Sequence, residues 1–371
     1  MERIERFEYA LSFSTPAFLG NAEQRAAWRS PPFKALLRHW WRVWRAAGSK
    51  VSVAGLREEE GDLFGNAWLN RHLHRASRVR IAVRPPARGG RIWETAQWPE
   101  RFERVRATAT GQGVPSDLYL GYGPITPPGR GQRVNLRGGA LAPAQCGTFF
   151  LSAPQSAVSD IRGVLQYIDW FGAVGSRARN GWGSVSLSSH QSAPPLRPLA
   201  AVEPMLVRCL RPWWECLDSE WPHALGADDK GRPLVWISGP LENWRKAIEL
   251  LAQIKAEMRI RAKSNPAAGA LAYLGYPAGP KGNPCEIPFK RGSEGRLPSQ
   301  IRFKIRPEGD CGKVVAVIYH LPCAVPEDFI DSVADSQRKR TLADVDAQRD
   351  TWKDMHGVLD GRHDLRRLGA H

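Results

Sequence analysis

Residues Ser30–Ala47, SPPFKALLRHWWRVWRAA, restrict what this chain can fold into more than any other stretch. Ser30 is a good N-cap, and Pro31 suits the first helical position, where its missing N–H costs nothing. At about 100° per residue, Lys34, Arg38, Arg42 and Arg45 fall within an arc of about 80°. Phe33, Leu36, Leu37, Trp40, Trp41, Val43 and Trp44 fill the adjoining arc of roughly 160°. One side of the helix must therefore be buried beneath its tryptophans, while the other presents a row of cations on a rigid frame. Guanidinium groups bind phosphate bidentately and stack on bases, so the frame suits a polyanion. An amphipathic helix with a merely solvated face has the same pattern.

Charge favours the polyanion. The 371 residues carry 53 Lys+Arg against 37 Asp+Glu, a net charge of +16. The excess is concentrated: residues 71–106 hold ten arginines and three glutamates, whereas residues 325–371 hold eight basic and ten acidic groups. Concentrated positive charge together with 15 tryptophans is an electrostatic footprint for RNA or DNA. A membrane is the rival polyanion, but no segment approaches the ~18 consecutive apolar residues of a span. The start MERIERFEYALSF is charged and alternating, unlike a signal peptide. A cytoplasmic location is expected. Cys146, Cys209, Cys216, Cys285, Cys311 and Cys323 form no C-x-x-C pair, which argues for reduced thiols rather than a zinc ribbon. His72-x-His74 lacks accompanying ligands, and neither metal nor cofactor is expected.

The order of elements predicts an α+β chain. Phe7, Tyr9, Leu11 and Phe13 share one face of a strand over residues 4–13, with Arg6, Glu8 and Ser12 opposite. Residues 78–84 alternate again, with Val79, Ile81 and Val83 inward and arginines outward. Residues 85–91 and 124–139 are Gly/Pro/Arg-rich loops, either a disordered insertion or a basic flap that orders on a polyanion. A helix over 156–173 runs into GSRARNGWGSV (175–185) and then the strand VSLS. This is the order of a ferredoxin-like (RRM-like) βαββαβ unit. A second pass takes 205–210 (MLVRCL) as a strand, Glu242–Arg261 as a helix, and 301–306 and 314–321 as paired strands. The expected organisation is an N-terminal domain over 1–198, a second ferredoxin-like domain over 199–325, and a charged, partly helical extension over 326–371.

The glycine loop concentrates candidate binding groups. Gly175, Gly181 and Gly183 permit positive φ and close backbone approach. Arg177 and Arg179 alternate outward, and Trp182 offers a face for base stacking. Successive free N–H groups in such a loop would form an anion nest. A tight helix-to-strand turn is the plainer reading.

These residues also carry a family resemblance. TPAFLG (15–20), RSPPFKALLRHWWR (29–42), LFG (63–65) and the glycine loop resemble the RAMP superfamily of CRISPR systems. Within it, the match is to the family of first Cmr subunits of type III-B effector complexes. There a TP-x-F-L-G strand exit precedes an R-x-P-S-x-K-G-x-L-R-F-W-W-R helix, and a G-x-R-x-R-x-G-W-G loop closes the first ferredoxin-like unit. LGYP (274–277) and RLPSQIRFKI (296–305) extend the resemblance, which spans about residues 4–323. Ala35, Phe33 and the SQI tripeptide depart from the family pattern. The resemblance implies an RNA-binding subunit on the 3′-end side of the guide RNA, contacting target single-stranded RNA and neighbouring Cmr RAMP subunits. It assigns binding roles to Lys34, Arg38, Arg42, Arg177, Arg179, Asn180 and Trp182, with the loop glycines as backbone donors; Arg45 is added by helix geometry.

No chemistry of its own is expected. Asp62, Asp117 and Asp169 lie near the motifs without a recognisable catalytic context. Two alternatives remain open: a metal-independent RAMP endoribonuclease processing CRISPR repeat RNA through His39 or His320, and a protein-interaction scaffold without direct RNA contact.

Overall fold

The computed structural model describes residues 2–47, 52–67, 74–107, 111–128, 134–189, 193–199, 204–264, 270–277, 286–309 and 312–369. Helices and mainly antiparallel strands make up two units. The first comprises 1–98, 123–209 and 304–307; the second comprises 99–122, 210–303 and 308–371. Each unit draws on separated segments, where the sequence predicts a single boundary at 198/199.

The first unit is built on strands β1 (Ile4–Phe13), β2 (Arg80–Arg84), β3 (Gly147–Pro154) and β4 (Val185–Ser189). Its helices are α1 (Pro31–Ala47), α2 (Val53–Phe64) and α3 (Val158–Phe171). The sheet order is β4-β1-β3-β2, with every neighbouring pair antiparallel. The alternation in β1 does what the period-2 pattern requires: Phe7, Tyr9, Leu11 and Phe13 are buried, while the residues between them are not. The register pairs Phe7 with Leu151, Tyr9 with Phe149 and Leu11 with Leu187, so one apolar face forms across the strands.

The tryptophan side of α1 supplies much of this core. Trp40, Trp41 and Trp44 are 1%, 3% and 5% exposed. Tyr167 of α3 lies 5.4 Å from the Trp40 ring and 5.9 Å from that of Trp44. Gly163 makes this approach possible, because a Cβ there would sit 2.3 Å from the Trp44 ring. The buried indole is satisfied by a hydrogen bond from Trp44 Nε1 to Asp160 Oδ1 (2.9 Å).

In the second unit, β5 (Val235–Ser238), α4 (Trp244–Ser264), β6 (Ile301–Glu308), β7 (Lys313–His320), α5 (Val345–Asp360) and β8 (Leu365–Arg367) follow in chain order, residues 304–307 of β6 being counted with the first unit. The sheet order is β6-β7-β5-β8. Two expectations are corrected here. The first strand of this sheet is VWIS at 235–238, fully buried, whereas 204–208 is helical. Short apolar runs fit either state, so periodicity alone could not decide. The charged C-terminal stretch is no appendage. It supplies α5 and β8, and β8 pairs antiparallel with β5. Trp352, Met355, Leu359 and Leu368 are all 0% exposed. The i, i+3, i+7 stripe of Trp352, Met355 and Leu359 is diluted by charges on the other faces of the helix.

Buried in this unit, His320 Nδ1 lies 3.0 Å from His356 Nε2, and the His320 ring is 4.4 Å from that of Trp352. Burial, then the neighbouring His356, pulls His320 well below the ordinary imidazole range. Burial, then Arg367, pulls His356 down to about 3 against the pull of Asp228. Unfolded histidines protonate near pH ~6.5, so below that pH the unfolded state binds more protons and stability falls as pH falls. Between pH 7 and 5, His356 alone is expected to cost roughly 2 kcal/mol. Melting curves check this: the loss should shrink in His356→Gln, and a wild-type profile flat over that range would refute it.

Candidate nucleic-acid interface

The cationic side of α1 does not stand free. The acidic run of α2 lies along it. Arg38 Nε is 2.5 Å from Glu60 Oε1, and Arg42 Nε is 3.1 Å from Glu60 Oε2. Arg45 grips Glu59 with Nε at 2.5 Å and a second nitrogen at 3.0 Å. The i, i+4 spacing that aligns Arg38 with Arg42 lets one buried carboxylate serve both. The hydrogen bond to Glu59 raises the Arg45 pKa, and burial, then Arg38, lowers that of Lys34. The expected open row of cations is corrected accordingly: among the described residues Lys34 alone of the four lacks an acidic partner. The sequence did contain the signal, as the run Glu58–Glu60, but nothing in it says which face that run meets.

The glycine loop joins α3 to β4 and folds back on the TPAFLG segment. Ser176 N–H donates to Phe18 O (2.9 Å) and Gly183 N–H to Pro16 O (3.0 Å). Thr15 Oγ1 and Ser184 Oγ both donate to Gly181 O, at 2.8 and 2.9 Å. At Gly175, φ is +91° and a Cβ would sit 2.5 Å from Phe18 O. Here the glycine serves backbone packing.

Three expectations for this loop change. Trp182 is 0% exposed, with the Phe18 ring at 5.3 Å and the Trp98 ring at 5.6 Å, so its faces are taken by core packing rather than open to a base. Asn180 is also buried. The N–H groups of Ser176, Ala178, Asn180, Gly181 and Gly183 donate to protein carbonyls, which removes these five from the expected nest of free donors. Arg177 and Arg179 are exposed, as expected.

The tertiary structure adds cations that the motif reading left out. The loops after β1 and β2 and before β3 and β4 all gather at one end of the first unit's sheet. Ala26 N–H donates to Gly138 O (2.7 Å), Ala142 N–H to Arg91 O (3.0 Å), and Ala17 bridges Leu141. Ile92–Trp93 pairs with Ala140–Leu141. These ties bring Arg25, Arg29, Arg88, Arg91 and Arg137 to the end that carries Arg177 and Arg179, and all of them are exposed. The loops at 85–91 and 124–139 are, in their described parts, folded onto the unit, with Ile125 and Leu136 buried. Arg130 and Arg133 lie outside the described residues. Composition had flagged both loops; Arg25 and Arg29 could be placed with them only once the β1–α1 connection was seen to pair with Gly138.

The groups weighed for chemistry have structural occupations. His320 is 0% exposed, out of reach of a phosphodiester, and His39 lies half-buried against Trp40 on α1. Asp169 accepts from Leu187 N–H (3.1 Å) and pairs with Arg306 (3.0 Å). Asp62 pairs with Arg75, and Asp117 caps the Leu118 N–H at 2.8 Å. Cys146, Cys209, Cys216 and Cys323 are free thiols; Cys285, Cys311 and His72 lie outside the described residues. Among the described residues no His/Cys/Asp/Glu group is arranged to hold a metal, and no helix is long and apolar enough to cross a membrane.

No protein-family model and no curated protein matches the sequence. In structure the chain is similar to Cmr1 from Pyrococcus furiosus in its apo form, at 18% identity and a TM-score of 0.47, covering 92% of this chain and 96% of that one. It is also similar to a chain in the type III-B Cmr-beta complex bound to cognate target RNA, at 12% identity and a TM-score of 0.47, covering 93% of this chain and 99% of that one.

Proposed function

We propose that this chain is a non-catalytic RNA-binding and assembly subunit of RAMP type in a cytoplasmic type III-B CRISPR effector complex. In this reading it sits on the 3′-end side of the guide RNA and contacts target RNA and neighbouring Cmr subunits. Both units are read as ferredoxin-like, since each runs βαββαβ with its fourth, first, third and second strands side by side. The observation that carries the proposal is the junction of TPAFLG with the glycine loop. Two motifs far apart in sequence, each matching the family pattern, are stitched together by Thr15, Pro16 and Phe18, and exposed arginines surround the seam. Those arginines, more than the α1 face, form the proposed phosphate surface.

Phosphate contacts make affinity salt-dependent, with a log–log slope of roughly 0.7 per contact on single strands. Removing Arg137, Arg177 and Arg179 together is expected to weaken single-stranded RNA binding at least about tenfold near 100 mM salt and to flatten the slope by about 2. A gel-shift series in EDTA, scored for both shift and cleavage, checks this. Unchanged affinity and slope in the triple alanine variant would remove the proposed surface. Cut RNA would establish endoribonuclease chemistry instead. Binding to Cmr neighbours without any RNA shift would leave the scaffold role.

A further inference from the structure

On the face of the first unit's sheet turned away from α1 and α3, the rows through Arg6, Glu8 and Ala10 carry only exposed or half-buried residues, and their pattern is unlike that of a merely solvated sheet. Phe150 stands at its middle on β3, one of the two central strands, and is half-buried rather than covered. The register sets it between Ala82 and Glu8. One neighbouring row reads Arg80, Ser152, Arg6, and the other places Arg84 beside Thr148 and Ala10. Arg6, Arg80 and Arg84 are exposed, against the single acid Glu8 within these rows. The Arg84 guanidinium lies over the Phe150 ring, 4.9 Å from its centroid. Ring and guanidinium together make a planar, apolar and cationic surface, onto which a base can stack while flanking arginines hold phosphates. Arginines spaced on both sides of one ring match a polyanion with flat bases in both charge and shape. Beyond Arg84 the chain enters the loop carrying Arg88 and Arg91, so the surface is continuous with the cationic end of the sheet.

We propose that this open sheet face is a second RNA subsite, binding single-stranded RNA by stacking one or two bases on the Phe150–Arg84 pair with phosphates at Arg6 and Arg80. The proposal rests on the chain being an RNA-binding subunit.

The test compares wild type, Phe150→Leu and Phe150→Tyr in fluorescence-anisotropy titrations with a fluorescein-labelled ten-nucleotide oligouridylate. The same oligonucleotide carrying 5-iodouridine is photo-crosslinked to the full chain, and the adduct is mapped by mass spectrometry. Melting curves confirm that each variant is folded. Phe150→Leu is expected to weaken binding roughly five- to tenfold without changing the salt slope, because no charge is lost. Phe150→Tyr should retain affinity, and the adduct should map within 147–154. Wild-type binding with an unaffected Phe150→Leu variant and adducts elsewhere would overturn this subsite alone. Absence of wild-type RNA binding would overturn the function and the subsite together. Loss of binding to a neighbouring subunit with RNA affinity intact would reassign the face to protein contact.

Discussion

Gly183→Ala is expected to destabilise the first unit by about 4 kcal/mol, more than any other single-methyl change in the loop region. Gly183 has φ +63°, and a Cβ there would stand 2.0 Å from Val174 O, a backbone atom that cannot swing aside. The left-handed conformation costs a residue with a Cβ about 1–2 kcal/mol. Relieving the clash would also part Val174 N–H from Gly183 O (2.9 Å) and Gly183 N–H from Pro16 O (3.0 Å), at about 1 kcal/mol each. The damage should be local first. Hydrogen exchange across 173–185 and 15–20 is the measurement, with faster exchange expected in both segments at once because the seam joins them. Protection unchanged in either segment would show that the loop and TPAFLG are not held by this contact. RNA binding should fall as well, though only as a consequence of the lost arginine geometry.

Lys304→Met is expected to cost about 3 kcal/mol, although no surface measurement would single out this lysine. Its side chain is 0% exposed, and Nζ donates to Gly172 O (2.5 Å), to Ile168 O (3.5 Å) and to Val185 O. These carbonyls lie at the C-terminal end of α3 and the start of β4, where the partial negative charge of a helix terminus favours a cationic donor. Burial pulls the lysine well below its usual pKa, and Asp169 opposes that shift. Hydrogen bonds to such groups contribute about 1.5–3 kcal/mol each when charged, and methionine matches the length of the side chain while offering none. Ile305 N–H donates to Ser184 Oγ (3.0 Å) and Arg306 pairs with Asp169 (3.0 Å), so Lys304–Pro307 act together beneath the glycine loop. Urea unfolding followed by exchange in 168–185 tests this; a midpoint and protection equal to wild type would mean the carbonyls are satisfied without the lysine.

These variants separate two meanings of the glycine-loop motif. In sequence its glycines, arginines and tryptophan look like one binding device. In the structure they divide: Gly175, Gly183 and Trp182 build the seam and Asn180 is buried, whereas Arg177 and Arg179 are exposed. Glycine is demanded there by carbonyls at 2.0–2.5 Å, that of Val174 at the entry to the loop itself and that of Phe18 from a segment more than a hundred residues away.

Local patterning was sufficient wherever a single element meets a single core. The alternation of Phe7 to Phe13, the tryptophan stripe of α1 and the apolar spacing of α3 each specify one buried face, because side-chain direction follows from strand or helix period alone. The polyanion reading likewise rests on charge excess, which needs no coordinates. Tertiary structure decided what two elements do to each other. Glu59 and Glu60 neutralise the arginines of α1, since a charge is open or spent only according to what packs beside it. Val235–Ser238 outranks residues 205–210 as a strand because its neighbours in the sheet arrive from 313–320 and 365–367. The acidic C-terminal stretch carries core residues because burial of Trp352 and Leu359 outweighs the polarity of the faces around them. Four loops distant in sequence put their arginines at one end of one sheet because strand order, which no local window contains, fixes where each loop must emerge.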